Sequence, residues 1–126
     1  MLAAFNGHKN VVELLIQNKA DVNHANNINR TALMFAASGP NHETVELLLQ
    51  NGAKIDIADT HEGFTALMFA AAEGQTKVVK ILLDHNADYK IKDVDGDTAA
   101  DFAERNGHTE TVNLIKNHAE ADSTTS

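Results

Sequence analysis

The 126-residue chain contains no cysteine. Disulfides, thiolate nucleophiles and zinc–thiolate centres are therefore excluded. The compartment stays open, because a cysteine-free protein tolerates oxidising and reducing surroundings alike. One proline and seven glycines are too few for a low-complexity linker over most of the length. Serine occurs only at positions 38, 123 and 126, and no Ser/His/Asp grouping is suggested by order or spacing. No run approaches the ~20 apolar residues of a membrane-spanning helix, so membrane insertion is not expected. The opening MLAAFNGHKN lacks a basic region followed by a long apolar one, so it does not read as a signal peptide. The default expectation is a cytoplasmic location, with a periplasmic or secreted one open if a signal peptide has been removed. Basic residues are also short: 10 Lys and Arg stand against 18 Asp and Glu, a formal net charge of -8. Binding to phosphates needs clustered Lys and Arg, so nucleic acid and anionic membranes are not expected partners.

What is present is repetition. Its residues are 43% hydrophobic and 22% charged, as in folded soluble proteins. The phrase TALMFAAS from Thr31 returns as TALMFAAA from Thr65 and TAADFAER from Thr98, at spacings of 34 and 33 residues. A second phrase keeps the same beat: VVELLIQNKAD from Val11, TVELLLQNGAK from Thr44, VVKILLDHNAD from Val78, and a degraded TVNLIKNHAE from Thr111. Self-similarity at this period marks a stack of supersecondary units, not a globule around one centre. Such a molecule offers a surface before it offers a pocket.

Each unit contains two helical patterns. The first covers about 32–38, 66–73 and 99–106 and is rich in alanine, which lets neighbouring helices approach closely. Leu33, Phe35, Leu67, Phe69 and Phe102 are its large residues and are expected to fill the layers between units. The second places Val12, Leu14 and Leu15 beside Val45, Leu47, Leu48 and Leu49, then Val79, Ile81, Leu82 and Leu83, then Val112, Leu114 and Ile115. These stripes form one continuous core across the stack. Thr31, Thr65 and Thr98 precede the first helices and are expected to cap them. Gly7, Gly74 and Gly107 mark the turn between paired helices, with Pro40 in that place in the second unit. Gly52 is expected to take a left-handed cap, and Asn18, Asn51, Asn86 and Asn117 lie near the same helix ends. The middle connection is one residue longer, near Thr60, His61 and Glu62, the kind of insertion that leaves a repeat core intact.

These residues resemble the ankyrin-repeat family. Gly63-Phe64-Thr65-Ala66-Leu67 and Gly96-Asp97-Thr98-Ala99 are similar to its hairpin and helix start. Gly7-His8 and Gly107-His108 match its interhelix turn, and Ala20-Asp21-Val22-Asn23 and Ala87-Asp88 its exit. The resemblance covers residues 1 to about 119 and implies an all-α solenoid of helix-turn-helix pairs joined by β-hairpin-like loops. The expected organisation is a partial first repeat at 1–25, repeats at 26–58, 59–92 and 93–119, and a disordered tail at 120–126. Ala32, Ala66 and Ala99 stand where the family often has proline. Asn29 replaces the hairpin glycine and is expected to strain its turn slightly or to satisfy it with its own side chain. Asn41 replaces the turn histidine. Met1 aligns with Met34 inside a first helix, so the first residues are expected to be poorly held, in a truncated cap or a fragment.

Catalytic and metal chemistry find little support. None of the seven histidines forms H-E-x-x-H, and no loop is glycine-rich enough to cradle phosphate. His8 and His108 fall at turn positions, where a ring bonds to a neighbouring loop, and His61 falls at the inserted tip. Asp93, Asp95, Asp97, Asp101 and Glu104 have the spacing of a calcium-binding loop. Thr98 stands at its sixth position where glycine is needed, and a helix starting there pulls Asp101 and Glu104 away from a shared centre. Those acids are read as helix-terminal and surface charge. Asn29-Arg30-Thr31 is a formal glycosylation sequon, read as chance because Thr31 is a cap. No cofactor, metal or catalytic residue is expected.

Ankyrin stacks usually bind proteins on the concave side, built from hairpin tips and first helices. Carried onto this chain, that side comprises Phe5 and Asn6; Asn27, Ile28, Arg30 and Ser38; Thr60, His61, Glu62, Phe64, Ala72 and Glu73; and Val94, Asp95, Asp97, Arg105 and Asn106. Ile28, Phe64 and Val94 recur as apolar residues at the tips. Ile28 and Val94 either tuck against their own hairpins or meet a partner, and Phe64 is assigned to contact, ringed by Glu62, Glu73, Asp95 and Asp97. The expected function is non-catalytic protein binding by a chain that is monomeric when unbound. The expected partner has a basic or mixed surface and an apolar pocket. The alternative is an inhibitor or immunity-type protein that covers an enzyme such as a secreted hydrolase.

Overall fold

The computed structural model describes residues 22–23, 25 and 27–124. Six helices lie among them: α1 (Ala32–Ala37), α2 (His42–Gln50), α3 (Ala66–Ala72), α4 (Thr76–Asp84), α5 (Ala99–Arg105) and α6 (Thr109–Thr124). They pair as α1–α2, α3–α4 and α5–α6, each pair packed on the next. The first helices α1, α3 and α5 form one layer, and α2, α4 and α6 the other. No extended strand is present among the described residues, and their one bridge pairs Ala25 with Thr31 at the neck of a hairpin. This is the all-α stack that the repeat period predicts.

The starts of the first helices are set by single hydroxyls. Thr31, Thr65 and Thr98 have extended backbones, and their side chains accept from the amides of Met34, Met68 and Asp101 at 3.3–3.4 Å. Each thereby satisfies one of the amides that a helix start leaves unpaired. The last start carries a full capping box, because the Asp101 carboxylate accepts from the Thr98 amide at 2.9 Å. That bond, opposed by desolvation and aided by the Thr98 hydroxyl, Arg105 and Lys92, holds the Asp101 carboxyl below its ordinary value. Asp101 is thus committed to its own helix and not to a calcium loop.

Alanines make the close packing possible. Ala36, Ala37, Ala70, Ala71 and Ala103 are wholly buried between layers, together with Val45, Val79 and Leu82 from the second helices. Polar side chains then tie unit to unit. The Asn23 amide group donates to the Gly52 carbonyl at 3.1 Å, and its oxygen accepts from the Lys54 amide at 2.7 Å. One unit on, Asp56 accepts from the Asp88 amide at 2.9 Å. One further on, the Tyr89 hydroxyl donates to Asp122 at 2.9 Å. Asn23 and Asp56 occupy the same place in successive units, 33 residues apart, whereas Tyr89 stands one position earlier, at the place of Val22 and Ile55. The Tyr89 ring also packs on the core, as its sequence position suggests.

Two details differ from the sequence reading. The last helix does not stop at Ala119 but runs to Thr124, so 120–124 are helical and not a disordered tail. Residues 125 and 126 lie outside the described part. Asn117 lies inside this helix and marks no end. The reason is at the capping slot eight residues into each second phrase. Gly52 and Asn86 fill it with φ of 91° and 69°, but the last unit has Ala119 there. Alanine avoids the left-handed region and favours continued helix. Asn29 behaves as expected: it takes φ of 63°, and its side chain donates to the Ala58 carbonyl at 3.1 Å.

The interhelix turns hold the units in register. His108 contacts the Ala72 carbonyl through Nε2 at 3.0 Å, reaching back into the preceding unit. Its ring lies against Gly74, whose φ is +67°; a Cβ there would sit 2.6 Å from His108 Nδ1. Gly107 has φ of +78° and open space around the same position. Both alanine substitutions incur left-handed strain of about 1–2 kcal/mol, but only Gly74→Ala also displaces the bridging histidine. Urea denaturation is expected to show Gly74→Ala less stable than Gly107→Ala by at least about 1 kcal/mol. Equal losses would contradict this role for His108.

Candidate functional site

The hairpins that precede the first helices are built around buried aspartates. Asp59 accepts from the amides of Glu62, Gly63 and Phe64 through one carboxylate oxygen at 2.8–3.1 Å. Its other oxygen takes the Arg30 guanidinium Nε at 3.0 Å. Burial pushes this carboxyl up, but the three amides and Arg30 together outweigh it and hold it below its ordinary value. Asp93 repeats the device, accepting from the Asp95 and Asp97 amides. The Asp59 amide closes on the Phe64 carbonyl, whereas that of Asp93 closes on Asp97, one residue tighter. The extra residue of the middle connection therefore lies in the hairpin, between 60 and 64. Adjacent hairpins are stitched by backbone bonds from Thr60 to Ile28 and from Val94 to Glu62, at 2.8 and 3.0 Å.

These hairpins deliver side chains to the first helices. The residue before each capping threonine is Arg30, Phe64 or Asp97. Four residues after each threonine stands Phe35, Phe69 or Phe102. Arg30 crosses to the next unit and lies over the Phe69 ring, 5.3 Å from its centre. Phe64 meets its own unit's Phe69 and the next unit's Phe102 edge-on, at centroid distances of 5.5 and 5.4 Å. Arg105 lies over Phe102 at 5.5 Å and pairs with Asp97 at 2.9 Å. Asp97 stabilises the charged form of that guanidinium and raises its pKa. Between the rings opens a cleft of about 40 Å³ lined by Phe64, Met68, Phe69, Ala72 and Phe102.

The residues singled out in the sequence fall into three groups. Arg30, Phe64, Ala72 and Arg105 meet at this cleft or its flanks. Thr60, His61, Asn27 and Asp95 are exposed on or beside the hairpin tips, as is Glu73 at the end of α3. Ile28 is half-buried and its carbonyl serves the hairpin stitch. Ser38 caps the end of α1, with its hydroxyl donating to the Phe35 carbonyl at 2.9 Å. Asn106 donates to the Ala72 carbonyl at 2.8 Å. Phe5 and Asn6 lie outside the described residues.

Phe64 and Val94 are placed differently. Phe64 does not project; two aromatic edges hold it against the stack. Val94 is the projecting residue, 70% exposed at its tip. Nor is Asp97 part of an open acidic ring, because Arg105 neutralises it. Met68, Phe69 and Phe102 line the cleft, although the sequence suggested only inter-unit packing for both Phe69 and Phe102. Their common register with Phe35, four residues beyond each cap, is the signal that could have found them.

The comparison with protein families agrees with this geometry. The model described as "Ankyrin repeats (3 copies)" matches residues 1–93 and, overlapping, 58–125. The chain belongs to the ankyrin-repeat family. No curated protein matches it. Its ankyrin-repeat architecture is that of a protein-protein interaction scaffold. Among the described residues no group of three His, Asp or Glu side chains is placed to hold a metal ion. No helix among them is long and apolar enough to cross a membrane.

Asp59 is the testable keystone of the site's architecture. Its folded carboxyl sits below the ordinary 3.8. Its stabilisation is therefore complete above that value and is lost as pH falls through the lower, folded-state value. Asp59→Asn is expected to cost about 1–3 kcal/mol at neutral pH. The gap from the parent chain should narrow as pH falls below 4. Denaturant titrations across this range check it, and a gap independent of pH would contradict the account.

Proposed function

We propose that this ankyrin-repeat protein binds another protein through the hairpin and first-helix face, the concave side of the solenoid. The observation that carries the reading is the apolar cleft beside the projecting Val94. A partly open aromatic cleft next to an exposed aliphatic residue, with polar residues around both, has the make-up of an interface centre. The charge supports a basic or mixed partner. Arg30 and Arg105 are matched by Asp59 and Asp97, while Glu62, Glu73 and Asp95 add further negative charge. A basic partner gains mainly in association rate and selectivity. Complementarity to this face calls for an apolar protrusion to enter the cleft and a shallow apolar pocket to receive Val94. The same occupancy inhibits a partner enzyme whose active-site rim supplies that protrusion.

Val94→Asp changes an exposed side chain and should leave the circular dichroism spectrum unaltered. Calorimetry with a partner captured from the source cell is expected to show 1:1 binding, weakened at least tenfold by Val94→Asp. Lys80→Glu, on the second-helix layer, is expected to bind like the parent. The reverse ranking would move the site to the opposite side. Loss of the partner's own activity in the complex identifies inhibition, and retained activity identifies tethering.

A further inference from the structure

We propose that the cleft among Phe64, Phe69 and Phe102 takes one branched aliphatic side chain from a partner segment that carries Lys or Arg beside it. This rests on the reading of the hairpin and first-helix face as the binding face, and narrows it to one occupant.

Size supports the aliphatic group. The open space is about 40 Å³, against the ~10–15 Å³ that a single water requires on the same measure. It suits a few methyl groups, and a benzyl group needs the rings to part. The wall that would have to move is fastened. The Phe64 amide donates to Asp59, its carbonyl accepts from the Asp59 amide, and its ring abuts two others. The lining also rejects a polar occupant, since all five of its side chains are apolar and a buried polar group would find no side-chain partner there.

Charge places the cation beside the cleft and not inside it. Arg30 and Arg105 already lie over the rings of Phe69 and Phe102. Those ring positions are thus already taken by cations. The two guanidiniums are paired with Asp59 and Asp97, so they leave no net charge to attract an acidic segment. Glu73 directly follows the cleft-lining Ala72 and is exposed. It is the carboxylate best placed along the chain to receive a Lys or Arg next to the inserted side chain, in a chain of net charge -8.

The test is selection of random 12-residue peptides displayed on phage against the intact protein at moderate salt. Enriched peptides are expected to share Val, Ile or Leu next to Lys or Arg. Replacing that aliphatic residue by Ala is expected to weaken binding about tenfold, as the loss of two buried methyl groups implies. Two variants locate the contact: Ala72→Leu fills the cleft without removing a ring, and Glu73→Lys reverses the exposed charge. Each should keep the parent's circular dichroism and weaken the peptides at least fivefold. Aromatic or acidic consensus peptides that still lose binding to Ala72→Leu would overturn this inference while leaving the binding face intact. Peptides indifferent to Ala72→Leu, Glu73→Lys and Val94→Asp would overturn both. Absence of any enriched family would overturn the single-side-chain inference, and the calorimetry with a captured partner then stands as the separate test of the face.

Discussion

No unit of this chain can bury its own apolar residues, and every other feature depends on that constraint. A pair of helices of six to nine residues, such as α1 with α2, has too little surface to shield its inner side. Burial comes from the neighbouring unit, so contacts between units are as necessary as those within them. Alanine in the first helices lets the layers approach, and the aliphatic stripe of the second helices fills the space behind. Polar contacts then select the register. Asn23, Asp56 and Tyr89 reach forward, and His108 reaches back. Hydrophobic burial alone is non-directional and would tolerate sliding. A bond from one side chain to one backbone group of the next unit does not.

The candidate site is a product of that stacking. The residue before each of the first two capping threonines leans across the junction onto the next unit's phenylalanine, Arg30 on Phe69 and Phe64 on Phe102. Only the middle unit has an aromatic residue in that position, so the three-ring cluster forms where two units meet and nowhere within one. Its walls are held by the Asp59 turn, a buried carboxylate satisfied by three amides and one guanidinium. Sequence sets this turn, the turn sets the height of Phe64, and Phe64 bounds the cleft. The hairpin that stabilises the stack thus also shapes the candidate site.

Much of the fold was legible in the chain because repeat architectures write the same instruction several times. Thr31, Thr65 and Thr98 announce their helices through one mechanism, and His108 occupies the bridging role that its turn position suggests. The tail was misread because polarity was weighed above backbone preference. AEADSTTS lacks an apolar anchor, but Ala119 in the left-handed slot lets the helix continue. The packing of Phe64 was not legible, because its neighbours along the chain are polar. Its actual neighbours, Phe69 and Phe102, are five and thirty-eight positions away, and periodicity alone does not say which side chains lean across a junction.

Hydrogen exchange of the protein alone and in a 1:1 complex with a captured partner tests the central claim most directly. The account predicts slowed exchange in the amides of the 59–65 and 93–98 hairpins and at the adjoining ends of α3 and α5. The second-helix layer, α2, α4 and α6, should exchange as in the free protein. Slowing confined to that layer, with the hairpins unchanged, would contradict the assignment of the binding face.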